Sequence, residues 1–165
     1  MKNHAHPHPE NTQTRTRHVA DVLNDLLADE FVLYVKTLSF HWNVRGMQFH
    51  TLHPYFEQVY EEQFDAIDDL AERVRTAGGA ATGTMKSFLE AATLKEQPEP
   101  PSDAREMIAQ LLADYNEVLD ALKEAIGEMG TRYDDPGTAN FLTGLLEKQE
   151  KTAWTLRTHL DSDLR

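Results

Sequence analysis

His41 and His53 are followed closely by a run of acids, Glu57, Glu61, Glu62, Asp65, Asp68, Asp69 and Glu72. Imidazole nitrogen with carboxylate oxygen is the ligand mix for iron, manganese or zinc, and a poor one for soft copper(I). Acids spaced along a helix are equally the usual makeup of a solvated face, and Asp68 and Glu72, one helical turn apart, repel each other. Composition alone leaves both readings open. The alternating His4, His6 and His8 could take up a transition metal or touch one only adventitiously. Nothing in the chain resembles a nucleotide-binding loop or a nucleophilic triad.

The elements that must position these groups are helical. Apolar residues at three- and four-residue spacing (Val19, Val22, Leu23, Leu26, Leu27, Tyr34 and Leu38) predict a first helix from about His18 to Val44. A second is predicted to begin near His53, with Pro54 in its first turn, and to stop at Gly78-Gly79. A third follows the breaker-rich QPEPPSD, with Ser102 as N-cap, and ends near Gly130. The fourth opens at Asp135-Pro136 and runs through Trp154 to about Leu160. A short amphipathic piece, Thr84 to Ala92, lies between the second and third. The expected class is all-α: a four-helix bundle with a short extra helix in the long connection between helices 2 and 3.

Helix geometry limits how the candidate ligands can meet. At about 1.5 Å per residue, His53 and Asp68 lie roughly 22 Å apart along one straight helix, and Glu72 roughly 28 Å from His53. Ligands of one metal each sit about 2 Å from it. Either these residues serve unrelated ends, or two antiparallel copies complete each other's sites, as a two-fold dimer would allow. No histidine has a glutamate three residues before it, so the Glu-x-x-His unit of intrachain di-iron bundles is missing.

Composition sets further bounds. The 165 residues suit one domain, expected over 18–165 behind a flexible His-containing arm, 1–17. There is no cysteine, no apolar leader and no run long enough to span a membrane, which leads us to expect a cytoplasmic protein. The net charge of −12 opposes binding to nucleic acid. In the first eighteen residues Lys2, Arg15 and Arg17 outnumber Glu10 by two, so only the arm is basic. Weak or no DNA binding is expected at neutral pH, with protonation of His4, His6, His8 and His18 adding some below about pH 6.5. A nucleoid-packing protein with a secondary metal site is the alternative.

The segment SFHWNVRGMQFHTLHPYF followed by EEQFDAIDDLAERV resembles the signature of the Dps family of mini-ferritins, in its HWN-x-x-G-x-x-F-x-x-x-H spacing and its downstream D-x-x-x-E. TMKSFLEAATLKE and EKTAWTLRTHL extend the resemblance over roughly residues 18–161. It implies a ferritin-like bundle assembled from two-fold dimers into a hollow dodecamer. It also implies oxidation of Fe(II) by hydrogen peroxide and storage of ferric mineral. His41 and His53 of one subunit, with Asp68 and Glu72 of its neighbour, would hold two irons per site, with zinc or manganese as substitutes. Glu57 falls where relatives often carry an Asp ligand, and Pro54 stands where many have Glu. Trp42 is a candidate electron donor. Trp154 is either another or interface packing. Asp134-Asp135 falls in the region of the family's acidic pores, with Asn140 near where relatives often carry another acid, although Asp135 could equally be only a helix cap.

Overall fold

The computed structural model describes residues 9–161. Five α-helices account for nearly all of it: α1 Pro9–Asn43, α2 Phe49–Thr76, α3 Met85–Ala91, α4 Ala104–Glu128 and α5 Pro136–Leu160. No strand occurs among the described residues. His4, His6 and His8 lie outside them, as does the side chain of His18.

The periodic stripe of α1 becomes its core face, with Leu23, Leu27, Leu33 and Phe40 almost wholly buried. The helix begins at Pro9 rather than His18, inside the stretch expected to be an arm. Proline tolerates a first turn, and once packing has nucleated a helix its extension into a polar segment costs little. At the other end Gly46, at φ +93°, reverses the chain within residues 44–48. So short a link makes α1 and α2 antiparallel neighbours. The turn closes early, so α2 starts at Phe49 and Pro54 lies inside the helix, not in its first turn. Lacking an N–H, Pro54 leaves the His50 carbonyl without its helical partner, yet the helix continues to Thr76.

α2 buries Leu52, Phe56, Val59, Ala66, Leu70 and Val74. It ends through Gly78, at φ +85°. Gly79 lies so close to α1 that a Cβ there would come within 2.3 Å of the Ala20 Cβ. The crossover then carries α3, whose N-cap Thr84 accepts from the Ser87 N–H at 3.2 Å. Phe88 of α3 stacks on Phe31 of α1 with ring centroids 4.2 Å apart. Asp29 ties the far end of the crossover to α1, accepting from the Thr93 N–H (2.7 Å), the Thr93 hydroxyl (2.8 Å) and the Leu94 N–H (2.9 Å).

Asp103, rather than Ser102, caps α4, its carboxylate accepting from the Arg105 N–H. A π-helical turn, Met129–Tyr133, and the left-handed Asp134 lead into α5. Asp135 caps that helix with Pro136 in its first turn, as the sequence predicts. The bundle is two close pairs, α1 with α2 and α4 with α5, joined mainly through α1 and α4, while α2 and α5 barely touch. Lys36 and Asp114 form a buried ion pair across the α1–α4 contact. Such a pair adds little net stability but penalises any other register of those two helices.

Candidate metal centre

His41, in the last turn of α1, is buried, and His53, in the second turn of α2, is half-buried. The tight Gly46 turn brings them face to face, ring centroids 3.9 Å apart and planes inclined by 22°. Each ring also bonds to the other's backbone. The His41 Nδ1–H donates to the His53 carbonyl at 2.8 Å, and the His53 Nδ1–H donates to the His41 carbonyl at 2.9 Å. A carbonyl only accepts, so both Nδ1 atoms must carry the proton. A neutral ring then has its lone pair on Nε2, and a fixed tautomer and orientation is what a metal-ligating imidazole requires. Phe49 stacks on the outer face of His53 at 4.8 Å, and Tyr60 meets His41 edge-on at 5.2 Å. Neither aromatic contact was foreseen from sequence, although both residues fall within a turn or two of His53 along α2.

The acids are arranged differently. Glu57 is exposed one turn beyond His53, its carboxylate 3.4 Å from the Tyr60 hydroxyl. Partial desolvation, with the Glu57 and Glu61 charges, pushes the Tyr60 phenol up and keeps it protonated. Asp68 and Glu72 are exposed farther along the same helix. Among the described residues no group of three or more His, Asp or Glu side chains could hold a metal within one chain. One chain therefore brings together the two histidines and Glu57's turn, but not Asp68 or Glu72.

A model of the ferritin-like domain matches residues 20–165. DNA protection during starvation protein 2 of Bacillus anthracis is 39% identical over 145 residues, covering 88% of this chain and 98% of its own length. The chain belongs to the Dps family of ferritin-like proteins. A low-temperature-induced protein of Nostoc is 42% identical over 150 residues, covering 91% of this Dps-family chain and 84% of its own. Among solved structures, a Dps protein from Bacillus brevis superposes with a TM-score of 0.84 at 38% identity, covering 89% of this chain and 97% of that one. A Vibrio cholerae Dps protein, described as a member of the ferritin-like diiron-carboxylate superfamily, gives 0.85 at 31% identity, covering 89% and 91%.

The other candidate positions of this Dps-family chain fall as follows. Trp42 is 68% exposed beside His41, and Trp154 is 59% exposed on α5. Asp135 is engaged as a cap, accepting from the Thr138 N–H (2.9 Å) and hydroxyl (2.7 Å), with Arg73 at 3.5 Å. Burial works against its ionisation, but Thr138 and Arg73 prevail and hold the carboxyl below its ordinary value. No helix of the described residues is long and apolar enough to cross a membrane.

Proposed function

We propose that this chain is a mini-ferritin subunit that oxidises Fe(II), preferably with hydrogen peroxide, at sites shared between two copies. It stores the ferric product in a hollow dodecamer and so protects the cytoplasm from oxidative damage. The observation that carries the reading is the reciprocal His41–His53 pair, which leaves two Nε2 atoms prepared for metal. His41 and His53 from one copy, with Asp68 and Glu72 from the next and Glu57 beside them, make a mixed nitrogen–oxygen set for two irons. Zinc or manganese would occupy the same donors without turnover.

A second copy has a surface to dock on. Phe64 of α2, Tyr34 and Phe31 of α1 and Phe88 of α3 run in ring contact across three helices, and Val35, Met85 and Leu89 are exposed on α1 and α3. Exposed apolar area of this kind marks an association surface. The reaction needs two irons together. Each Fe(II) gives one electron to a single hydrogen peroxide, which takes up two protons and leaves as two waters, so no hydroxyl radical is released. The chain's own groups fix the imidazole lone pairs, supply carboxylate charge that favours the ferric product, and keep Trp42 beside His41 as an electron donor of last resort. DNA binding is weak, because an acidic body outweighs the few cations of the N-terminal segment.

Reassorted subunits test the site directly. His41→Ala and Asp68→Ala proteins should each lose Fe(II) oxidation in a stopped-flow assay with peroxide. Mixed and re-formed, they should regain about one quarter of the wild-type sites, because half the random dimers are hybrids and each hybrid holds one intact site of two. No recovery from well-mixed, reassembled protein would overturn the shared site.

A further inference from the structure

Tyr60 is not among the candidate ligands, yet it touches both kinds of donor in the centre. It lies three residues beyond Glu57 on α2, a spacing that brings the two side chains together on one helical face. Its phenol donates to Glu57 Oε1 at 3.4 Å, and its ring meets the His41 ring edge-on at 5.2 Å. Tyr34 of α1 also meets it edge-on, with centroids 6.3 Å apart. His41 in turn stacks on His53, and Glu57 stands one turn of α2 past His53. The four side chains therefore close a circuit, from His53 to His41 to Tyr60 to Glu57 and back along the helix.

The members of that circuit are unequally held. The histidines are pinned by each other's carbonyls, and the half-buried Tyr60 ring is braced by aromatic neighbours on α1. Glu57 is exposed, and among the described residues its carboxylate has the Tyr60 hydroxyl as its one hydrogen-bond partner. A free glutamate of that kind samples many rotamers, and freezing it at the moment of binding costs affinity. A partner that already biases the rotamer removes part of that cost. A phenol donating to a carboxylate is a charge-assisted bond. At 3.4 Å and near the surface it is a weak one, enough to bias a loose side chain without competing with a metal. It engages Oε1 and leaves Oε2 open. We propose that Tyr60 is a positioning residue of the proposed iron site, on whose donor set this inference rests. Tyr60 holds Glu57 beside the His41–His53 pair, so that the open carboxylate oxygen is ready when the divalent ion arrives. Tyr60 is not itself a ligand. Its hydroxyl keeps its proton and spends it on Glu57.

Zinc(II) is the probe, titrated calorimetrically into the assembled full-length protein. The sites to follow are those that His41→Ala abolishes. Tyr60→Phe keeps the ring and removes the hydroxyl, and it should weaken zinc binding at those sites by about fivefold to tenfold. Glu57→Ala should weaken it at least as much. In the Glu57→Ala background, adding Tyr60→Phe should change the affinity by less than about twofold, because the hydroxyl then has nothing to hold. A role for Tyr60 in packing alone would leave two losses that multiply. Multiplying losses, or a Tyr60→Phe affinity within about twofold of wild type, would overturn the proposal while leaving the metal centre standing. Wild-type zinc binding by His41→Ala would refute the metal centre itself, and the role of Tyr60 would fall with it.

Discussion

Replacing Glu30 by Gln should make the protein more stable at neutral pH, by an amount that depends on pH in a calculable way. Burial pushes the Glu30 carboxyl from its ordinary 4.5 up to about 7, with the Gln149 hydrogen bond pulling it down and the Asp29 charge adding to the rise. Besides Asp29 on its own helix, the groups that act on it are Tyr115 from α4 and Gln149 from α5. Below about pH 4.5 both folded and unfolded chains hold the proton, and Glu30 contributes no pH dependence. Between that point and about 7 the unfolded chain releases the proton while the folded chain keeps it, so stability falls as pH rises. At 1.36 kcal/mol per unit the whole fall is about 3 kcal/mol, of which about 2 kcal/mol lies between pH 5.5 and 8. Glutamine keeps the shape and does not titrate. The stability gap between Glu30→Gln and wild type should therefore widen by about 2 kcal/mol over that interval. Urea denaturation of both proteins measures it, with a chelator present to remove cations and at one subunit concentration, because association shifts apparent stability. A gap that does not change with pH would refute the reasoning, because every other titrating group is common to the two proteins.

Asp29→Ala strands the Thr93 and Leu94 N–H groups and should cost about 2–3 kcal/mol, read as a lower urea midpoint with an unchanged slope. Asp135→Ala removes the α5 cap and should cost about 1 kcal/mol. Because Asp135's folded carboxyl is held below its ordinary 3.8, its contribution is present above that pH and lost as the solution is acidified through the folded value. Melting curves of the two proteins should accordingly converge toward strong acid. In gel shifts at pH 7.5 and physiological salt the protein should leave duplex DNA unretarded, and a tight complex there would reverse the reading of its charge.

The helices were legible because each carries its own period and its own stops: the Leu23–Leu27 stripe, the Gly78-Gly79 break, and the Asp135-Pro136 start. Their edges were less so. Whether α2 begins at Phe49 or His53 depends on how tightly Gly46 turns, and backbone geometry of that kind leaves no mark on composition. The histidines could be picked out by type, and rise per residue gave the separation of Asp68 and Glu72 from them. That the two rings brace each other's backbones could not be read, because it depends on angstrom-level approach of two helix ends. Glu30 carries a signal of its own in the sequence. It sits three residues from both Leu27 and Leu33 on the apolar stripe of α1, where a carboxyl group must either be buried or break the face.

The His41–His53 clasp braces each imidazole against the other residue's backbone, not against its ring. Both acceptors are main-chain carbonyls and outlast removal of either side chain, so the surviving ring keeps its Nδ1–H bond and loses only its stacked neighbour. In the proposed iron site the two histidines would therefore fail one at a time, like two teeth set separately in one jaw.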